Sequence, residues 1–316
     1  MNLVHLDEIR AAADILAGVV VRTPLLPQPW ADPARPLLLK PESLQPVGAF
    51  KLRGAYHAIA TLPDDARKAG VVTHSSGNHG RAVAYAAATF GIPAVVVIPD
   101  VAPPTKIEAV RALGAEVVLV PGAERTDATD RIAAERGMTV VPPFDHPAVI
   151  AGQGTVGLEI LADADVDLVL VQVGGGGLAS GVGTAVKTLS PTTAVYGVEP
   201  AVAPDARDSL AAGRLVPYPD EQRYSTVADG MRTGLSELTL AHLTAYLDGI
   251  VTVAEDEIRA AVGVLARDAN LVAEPSGATT LAAYLYHGDE LPSGRTVAVV
   301  SGGNLDPVQL ASLIAP

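Results

Sequence analysis

The sequence predicts an α/β protein built from open parallel sheets covered by helices, and three observations carry that reading. Apolar runs of strand length, rich in Val, Ile and Leu, alternate with alanine-rich helical stretches along the chain. The strand runs are continuous rather than alternating with polar residues, as in strands buried on both faces. With 316 residues, 49% of them hydrophobic, two domains are more natural than one. Aromatic residues make up only 4%, so the core is expected to be aliphatic.

Taken in order, Val71-Val72-Thr73 leads into a helix over 78–90, and Ala94 to Ile98 forms a buried strand before a helix over 104–113. Glu116 to Val120 is the next strand, followed by a helix over 126–136, and Thr139-Val140-Val141 closes that unit. A composition shift at Pro142-Pro143 marks a boundary. The second series runs helix 152–162, strand 168–173, helix 178–189, strand 194–198 and, late, strand 296–300, with a helix over 306–314. The expected division is a small mobile unit over 70–144 and a large one made of 1–69 and 145–316. Parallel strands with crossover helices put ligand sites at the carboxyl ends of strands, where the glycine-bearing turns fall.

Composition removes several function classes. The net charge of −13, with no cluster of Lys and Arg, argues against nucleic acid. The chain has no cysteine, which excludes disulfides and thiolate metal sites. No signal-type start and no run of membrane-spanning length is visible, so the cytoplasm is the expected location and no membrane partner is foreseen.

Three loops concentrate the chemistry. Gly174-Gly175-Gly176-Gly177 follows an apolar strand and opens a helix near Leu178. Glycines there let successive N–H groups converge, and the helix N-terminus adds positive potential, so a dianionic phosphate can be held without basic side chains. A plain tight turn is the competing reading. Ser75-Ser76-Gly77-Asn78-His79-Gly80 also joins a strand to a helix, and reads either as a carboxylate pocket or as an ordinary cap. Ser301, in Ser301-Gly302-Gly303-Asn304, either caps the last helix or faces a ring nitrogen at the sheet edge. Lys51, in Gly48-Ala49-Phe50-Lys51-Leu52-Arg53-Gly54-Ala55, would alone pass for a surface charge. In the company of a phosphate cradle and a serine-glycine turn it reads as a Schiff-base lysine for pyridoxal phosphate.

These segments, with Lys40-Pro41-Glu42-Ser43-Leu44-Gln45, Ala151-Gly152-Gln153-Gly154-Thr155 and Glu274-Pro275-Ser276-Gly277-Ala278, span nearly the whole chain. Together they resemble the β-family of pyridoxal-phosphate enzymes (fold type II, tryptophan synthase β-like), most closely its serine/threonine dehydratase and serine racemase group. The resemblance implies a cofactor in the cleft between two parallel-sheet domains. Lys51 would carry the cofactor and act as general base, Phe50 would pack near the ring, and Asn78 would bond the ring's 3-hydroxyl oxygen. Gly174, Gly175, Gly176, Gly177 and the Leu178 amide would hold the phosphate, with Glu274 also near the cofactor. Ser301 would meet the pyridine nitrogen. A neutral serine there does not enforce a pyridinium, so the ring is a weaker electron sink, suited to elimination at Cβ. Ser75, Ser76, Asn78 and His79 would bind the substrate carboxylate, with Arg125 facing the substrate. Glu199, Ala203 and Asp205 resemble the group's divalent-cation site, offering two carboxylates and a carbonyl to Mg²⁺, Mn²⁺ or Ca²⁺.

The activity implied is an L-threonine/L-serine ammonia-lyase giving 2-oxobutanoate or pyruvate plus ammonia. Two alternatives are a serine racemase using Lys51 and Ser76 as its two acid/bases, and a 3-hydroxyaspartate dehydratase. A ligand sensor without turnover is a reading of a different class, opposed by the intact Lys51 and Ser301. A small-molecule substrate and a homodimer are expected. With twelve residues after Asn304, a C-terminal regulatory domain is not expected.

Overall fold

The computed structural model describes residues 2–75 and 77–314. Among the described residues ten strands are formed: β1 (Leu26–Pro27), β2 (Leu37–Pro41), β3 (Val71–His74), β4 (Ala94–Pro99), β5 (Glu116–Val120), β6 (Thr139–Val140), β7 (Leu168–Gln172), β8 (Ala194–Pro200), β9 (Gly249–Val253) and β10 (Thr296–Val300). They make two sheets, one of six strands in the order β1-β2-β10-β7-β8-β9 and one of four in the order β5-β4-β3-β6. Every pairing is parallel except that of β1 with β2. The α/β parallel-sheet class expected from the continuous apolar runs is therefore the fold observed.

The chemistry of the runs explains their placement. All five residues of β7 and all five of β10 are buried, because helices cover both faces of the larger sheet. Each such Val or Leu gains roughly 1.5–3 kcal/mol from leaving water. Interrupted or mixed segments carry no such signal: β2, broken by Lys40, β9, broken by Thr252, and the helix Lys51–Ala60, whose sequence mixes Lys, Arg, His and Gly, appear only in the structure. The helix expected over 152–162 is longer, Pro147–Asp163, because Pro147 suits a first turn and the His146 ring accepts from the Ala148 amide. Among the described residues, no helix is long and apolar enough to cross a membrane.

A buried ionic network fixes the helix that begins at Lys51. Arg53 donates through Nε to Glu42 at 2.7 Å and through Nη1 to Glu159 at 2.6 Å. Lys40 meets Glu159 at 2.6 Å and the Thr23 carbonyl at 2.6 Å. The Arg53, Lys40 and Glu42 side chains are fully buried. Burial alone would raise the Glu42 carboxyl, but the Arg53 charge and hydrogen bonds, with Lys40, hold it below the usual carboxylate range. Fixing Arg53 in this way fixes the turn of helix that carries Lys51.

Candidate active site

The site is assembled where strand ends and two glycine-rich turns meet. The Phe50 amide donates to the Ser301 carbonyl at 3.0 Å, the Gly303 amide donates to the Gly48 carbonyl at 2.9 Å, and Ala49 bridges Gly302 in antiparallel fashion. This short seam brings Lys51, next along the chain, to the carboxyl edge of β10 beside Ser301, a residue 250 positions away in sequence. Ser301 is 4% exposed.

Lys51 is half-buried; its Nζ donates to the Pro143 carbonyl at 2.7 Å and lies 5.0 Å from the centre of the Phe50 ring. Burial pushes its ammonium down to about 8, so an appreciable share of the amine is neutral near physiological pH. A neutral amine is the form that attacks a carbonyl or takes a proton.

The four glycines follow β7 and open the helix Gly177–Leu189. Gly176 has φ +87°, a left-handed conformation that glycine adopts without strain. Among the described residues, the amides of Gly174 to Leu178 donate to no protein acceptor. A Cβ on Gly175 would lie 2.4 Å from the Phe144 ring, so the loop is also closely packed. Free amides at a helix N-terminus suit a phosphate dianion, and with an amine lowered to about 8 and a neutral buried serine at the neighbouring strand end they suit pyridoxal phosphate.

The side chain of Asn78, first residue of the helix Asn78–Phe90, donates through Nδ2 to Glu274 Oε1 at 2.6 Å. Burial pushes Glu274 up to about 8, helped by the Asp229 charge and opposed by the Asn78 bond. The Ser75 hydroxyl accepts from the Gly77 amide at 3.2 Å, and Gly77 precedes the helix start. Ser76 lies outside the described residues.

His79 is 2% exposed and its Nε2 faces the Val141 carbonyl at 2.9 Å. A carbonyl only accepts, so Nε2 carries the proton and Nδ1 is a bare acceptor. Burial, then the nearby Lys51 charge, hold the ring down to about 3. The imidazole is thus neutral with no donor free, and what His79 offers a carboxylate is its backbone N–H.

Arg125 lies at the rim. It donates to the Gly122 carbonyl at 2.8 Å and, through Nη2, to the Tyr224 hydroxyl at 3.2 Å, so it is not brought against Lys51. Glu199 and Asp205 sit at the end of β8 and the start of the following helix, both buried, with Ala203 between them. Glu199 accepts from the amides of Ala206 and Arg207 at 3.1 and 2.9 Å. Burial pushes Glu199 up to about 8, with the Asp205 charge adding to it. Burial likewise pushes Asp205 up to about 6, against the pull of Arg223. Once ionised, the two carboxylates are oxygen donors of the kind a hard divalent cation takes, and such a charge would offset the burial that holds them protonated. Among the described residues no group of three His, Cys, Asp or Glu side chains is arranged for a metal. Arg81, Pro143 and Phe144 belong to the site's architecture without any sequence signal; Asn304 had one, as the last member of the Ser301 turn.

The family described as pyridoxal-phosphate dependent enzyme matches residues 16–302. The L-threonine ammonia-lyase of Thermotoga maritima is 43% identical over 311 residues, covering 96% of this chain and 76% of that one. A serine racemase of Oryza sativa subsp. indica is 38% identical, over 95% of this chain and 91% of the other. The solved T.th. threonine deaminase superposes with a TM-score of 0.90 at 43% identity, over 96% and 99% of the two chains.

Proposed function

The chain belongs to the family of pyridoxal-phosphate dependent enzymes, and from that premise we propose that it is a hydroxy-amino-acid ammonia-lyase acting on L-threonine and L-serine. The observation that carries the reading is Lys51, an amine lowered to about 8 beside a neutral Ser301. When bound, pyridoxal phosphate supplies the electron sink that makes a substrate Cα–H acidic. The amides of Gly174 to Leu178 hold its phosphate, Asn78 donates to its 3-oxygen, and Phe50 packs near its ring. Ser301 faces the ring nitrogen without charging it, which favours elimination over longer-lived carbanion chemistry. Ser75, Ser76, Asn78 and the His79 amide bind the substrate carboxylate, and Arg125 reaches the substrate when the cleft closes. Lys51 takes the Cα proton, the β-hydroxyl departs as water, and the released enamine hydrolyses to a 2-oxo acid and ammonia.

Glu199, Asp205 and the Ala203 carbonyl hold a divalent cation that stabilises the fold outside the reaction. The unit over 70–144 closes on the substrate against the rest of the chain, excluding water. The enzyme works as a homodimer in the cytoplasm.

A second reading, serine racemase, is favoured by the rice relative and requires Ser76 as an acid/base on the face opposite Lys51. Cofactor-loaded protein given L-threonine, L-serine, D-serine and L-threo-3-hydroxyaspartate separates the readings. Oxo-acid release from L-threonine without D-serine formed from L-serine is expected; D-serine appearing as fast as pyruvate assigns the racemase. Lys51→Ala should lower turnover by at least about 10²- to 10⁴-fold and remove the visible absorbance of the lysine-held cofactor. Retention of either sinks both readings.

A further inference from the structure

Four polar side chains form one continuous line between the two sheets. Arg81 Nη1 donates to Asn304 Oδ1. Asn304 Nδ2 donates to Asn78 Oδ1 at 2.6 Å and, with its other hydrogen, to the Val47 carbonyl at 2.8 Å. Asn78 Nδ2 in turn donates to Glu274 Oε1 at 2.6 Å. Asn78 and Arg81 stand three apart on the helix Asn78–Phe90, hence on one face. Asn304 follows β10, and Glu274 precedes the helix Pro275–Tyr286.

A carboxamide turned over by half a rotation keeps its shape, so only its neighbours' donor and acceptor character holds it one way. Here the ends of the line admit a single answer. A guanidinium can only donate, so Asn304 must show it oxygen. A peptide carbonyl can only accept, so Asn304 must show Val47 nitrogen. The remaining Asn304 hydrogen then points at Asn78, which must meet it with oxygen. The Asn78 nitrogen is thereby turned the other way, toward Glu274. That end borders the seam beside Lys51 and Ser301: a Cβ on Gly302 would lie 3.1 Å from Asn78 Nδ2 and 3.2 Å from Ala49 Cβ.

We propose that Arg81 and Asn304 are positioning residues that lock the Asn78 amide with its N–H groups facing the cofactor side of the cleft. The proposal rests on the reading above, in which Asn78 donates to the cofactor's 3-oxygen. One Asn78 hydrogen is committed to Glu274 and the other is free to donate. With the amide reversed, a lone pair instead of an N–H would face the cofactor oxygen, and that contact would turn from attraction to repulsion. Arg81 has no carboxylate partner within salt-bridge distance among the described residues, and its buried Nε has no acceptor. Its one side-chain hydrogen bond is spent on orienting Asn304.

The test uses the full chain loaded with pyridoxal phosphate, read by equilibrium dialysis and by pH titration of the visible absorbance. Asn304→Asp keeps the shape but cannot donate. It should weaken pyridoxal phosphate binding by about three- to tenfold, the worth of one hydrogen bond, and move the absorbance titration to higher pH. Arg81→Met should move the titration the same way, while Arg81→Gln, which still donates to Asn304, should restore it. In an Asn78→Ala background, Asn304→Asp should add nothing, because its route of action is gone. Arg81 is only partly buried, so its two variants carry the test even if Asn304→Asp fails to fold. A wild-type chain that takes up no pyridoxal phosphate overturns the functional reading and this inference with it. A loaded wild type indistinguishable from Arg81→Met and Asn304→Asp, or effects that add in the double variant, overturns the inference alone.

Discussion

Lys51 Nζ donates a 2.7 Å hydrogen bond to the carbonyl oxygen of Pro143, 92 residues further along the chain. Pro143 lies in the segment that leaves the four-stranded sheet after β6 and enters the helix Pro147–Asp163. The next residue, Phe144, lies against the glycines of the phosphate-binding candidate. The Lys51 amine and the glycine loop are therefore tied to one short stretch of backbone, and disturbance of that stretch reaches both.

Gly175→Ala tests that tie. The new Cβ would lie 2.4 Å from a ring atom of Phe144, a rigid neighbour that must shift bodily. The overpacking costs about 1–3 kcal/mol, and pyridoxal phosphate affinity should fall accordingly, as measured by equilibrium dialysis. Affinity equal to the wild type would separate Gly175 from the phosphate site.

The pair Glu199 and Asp205 should make stability depend on pH and, through the proposed cation site, on divalent cations. In the folded chain Glu199 keeps its proton to about 8, whereas unfolded it releases it near 4.5. The folded state thus binds the extra proton between those values, and stability falls as pH rises through that window. Asp205, pushed up to about 6, contributes the same sign over a narrower range. Mg²⁺ should raise the melting temperature near pH 8 and have little effect near the ordinary carboxylate value. Glu199→Gln should flatten the pH slope and abolish the Mg²⁺ response; an equal response in that variant would remove the cation from this site.

Arg53→Ala leaves Glu42 buried without its main partner. Breaking a buried pair from one side costs about 3–5 kcal/mol, which a urea unfolding curve would show as a lower midpoint. Because Arg53 sits within one turn of Lys51, cofactor uptake should also weaken in the folded fraction. An unchanged midpoint would mean that the network contributes no net stability.

Local chemistry made much of this protein legible in one dimension. Val95, Val96, Val97 and Ile98 announce a buried parallel strand because no exposed strand tolerates such a run. The glycines at 174–177 announce a turn for backbone binding because their missing side chains are themselves the signal. The stretch Leu37–Pro41 gives no comparable signal, since Lys40 interrupts it; in the fold Lys40 is paired with Glu159, which no local pattern predicts. The β9 strand, Gly249–Val253, is likewise interrupted, by Thr252.

The linear order of residues already carries the sheet class, the strand ends where the candidate site falls and the residue types able to do its chemistry, because those follow from periodicity and from side chains a few positions apart. The states of those groups arise only in the closed fold. Lys51 has a lowered ammonium because the fold buries it, and His79 is a bare acceptor because Val141 takes its proton-bearing nitrogen. Asn78 points one way because Arg81 and Val47 fix Asn304. Burial and hydrogen-bond direction come from neighbours distant in sequence, and a linear chain does not carry them until it has closed on itself.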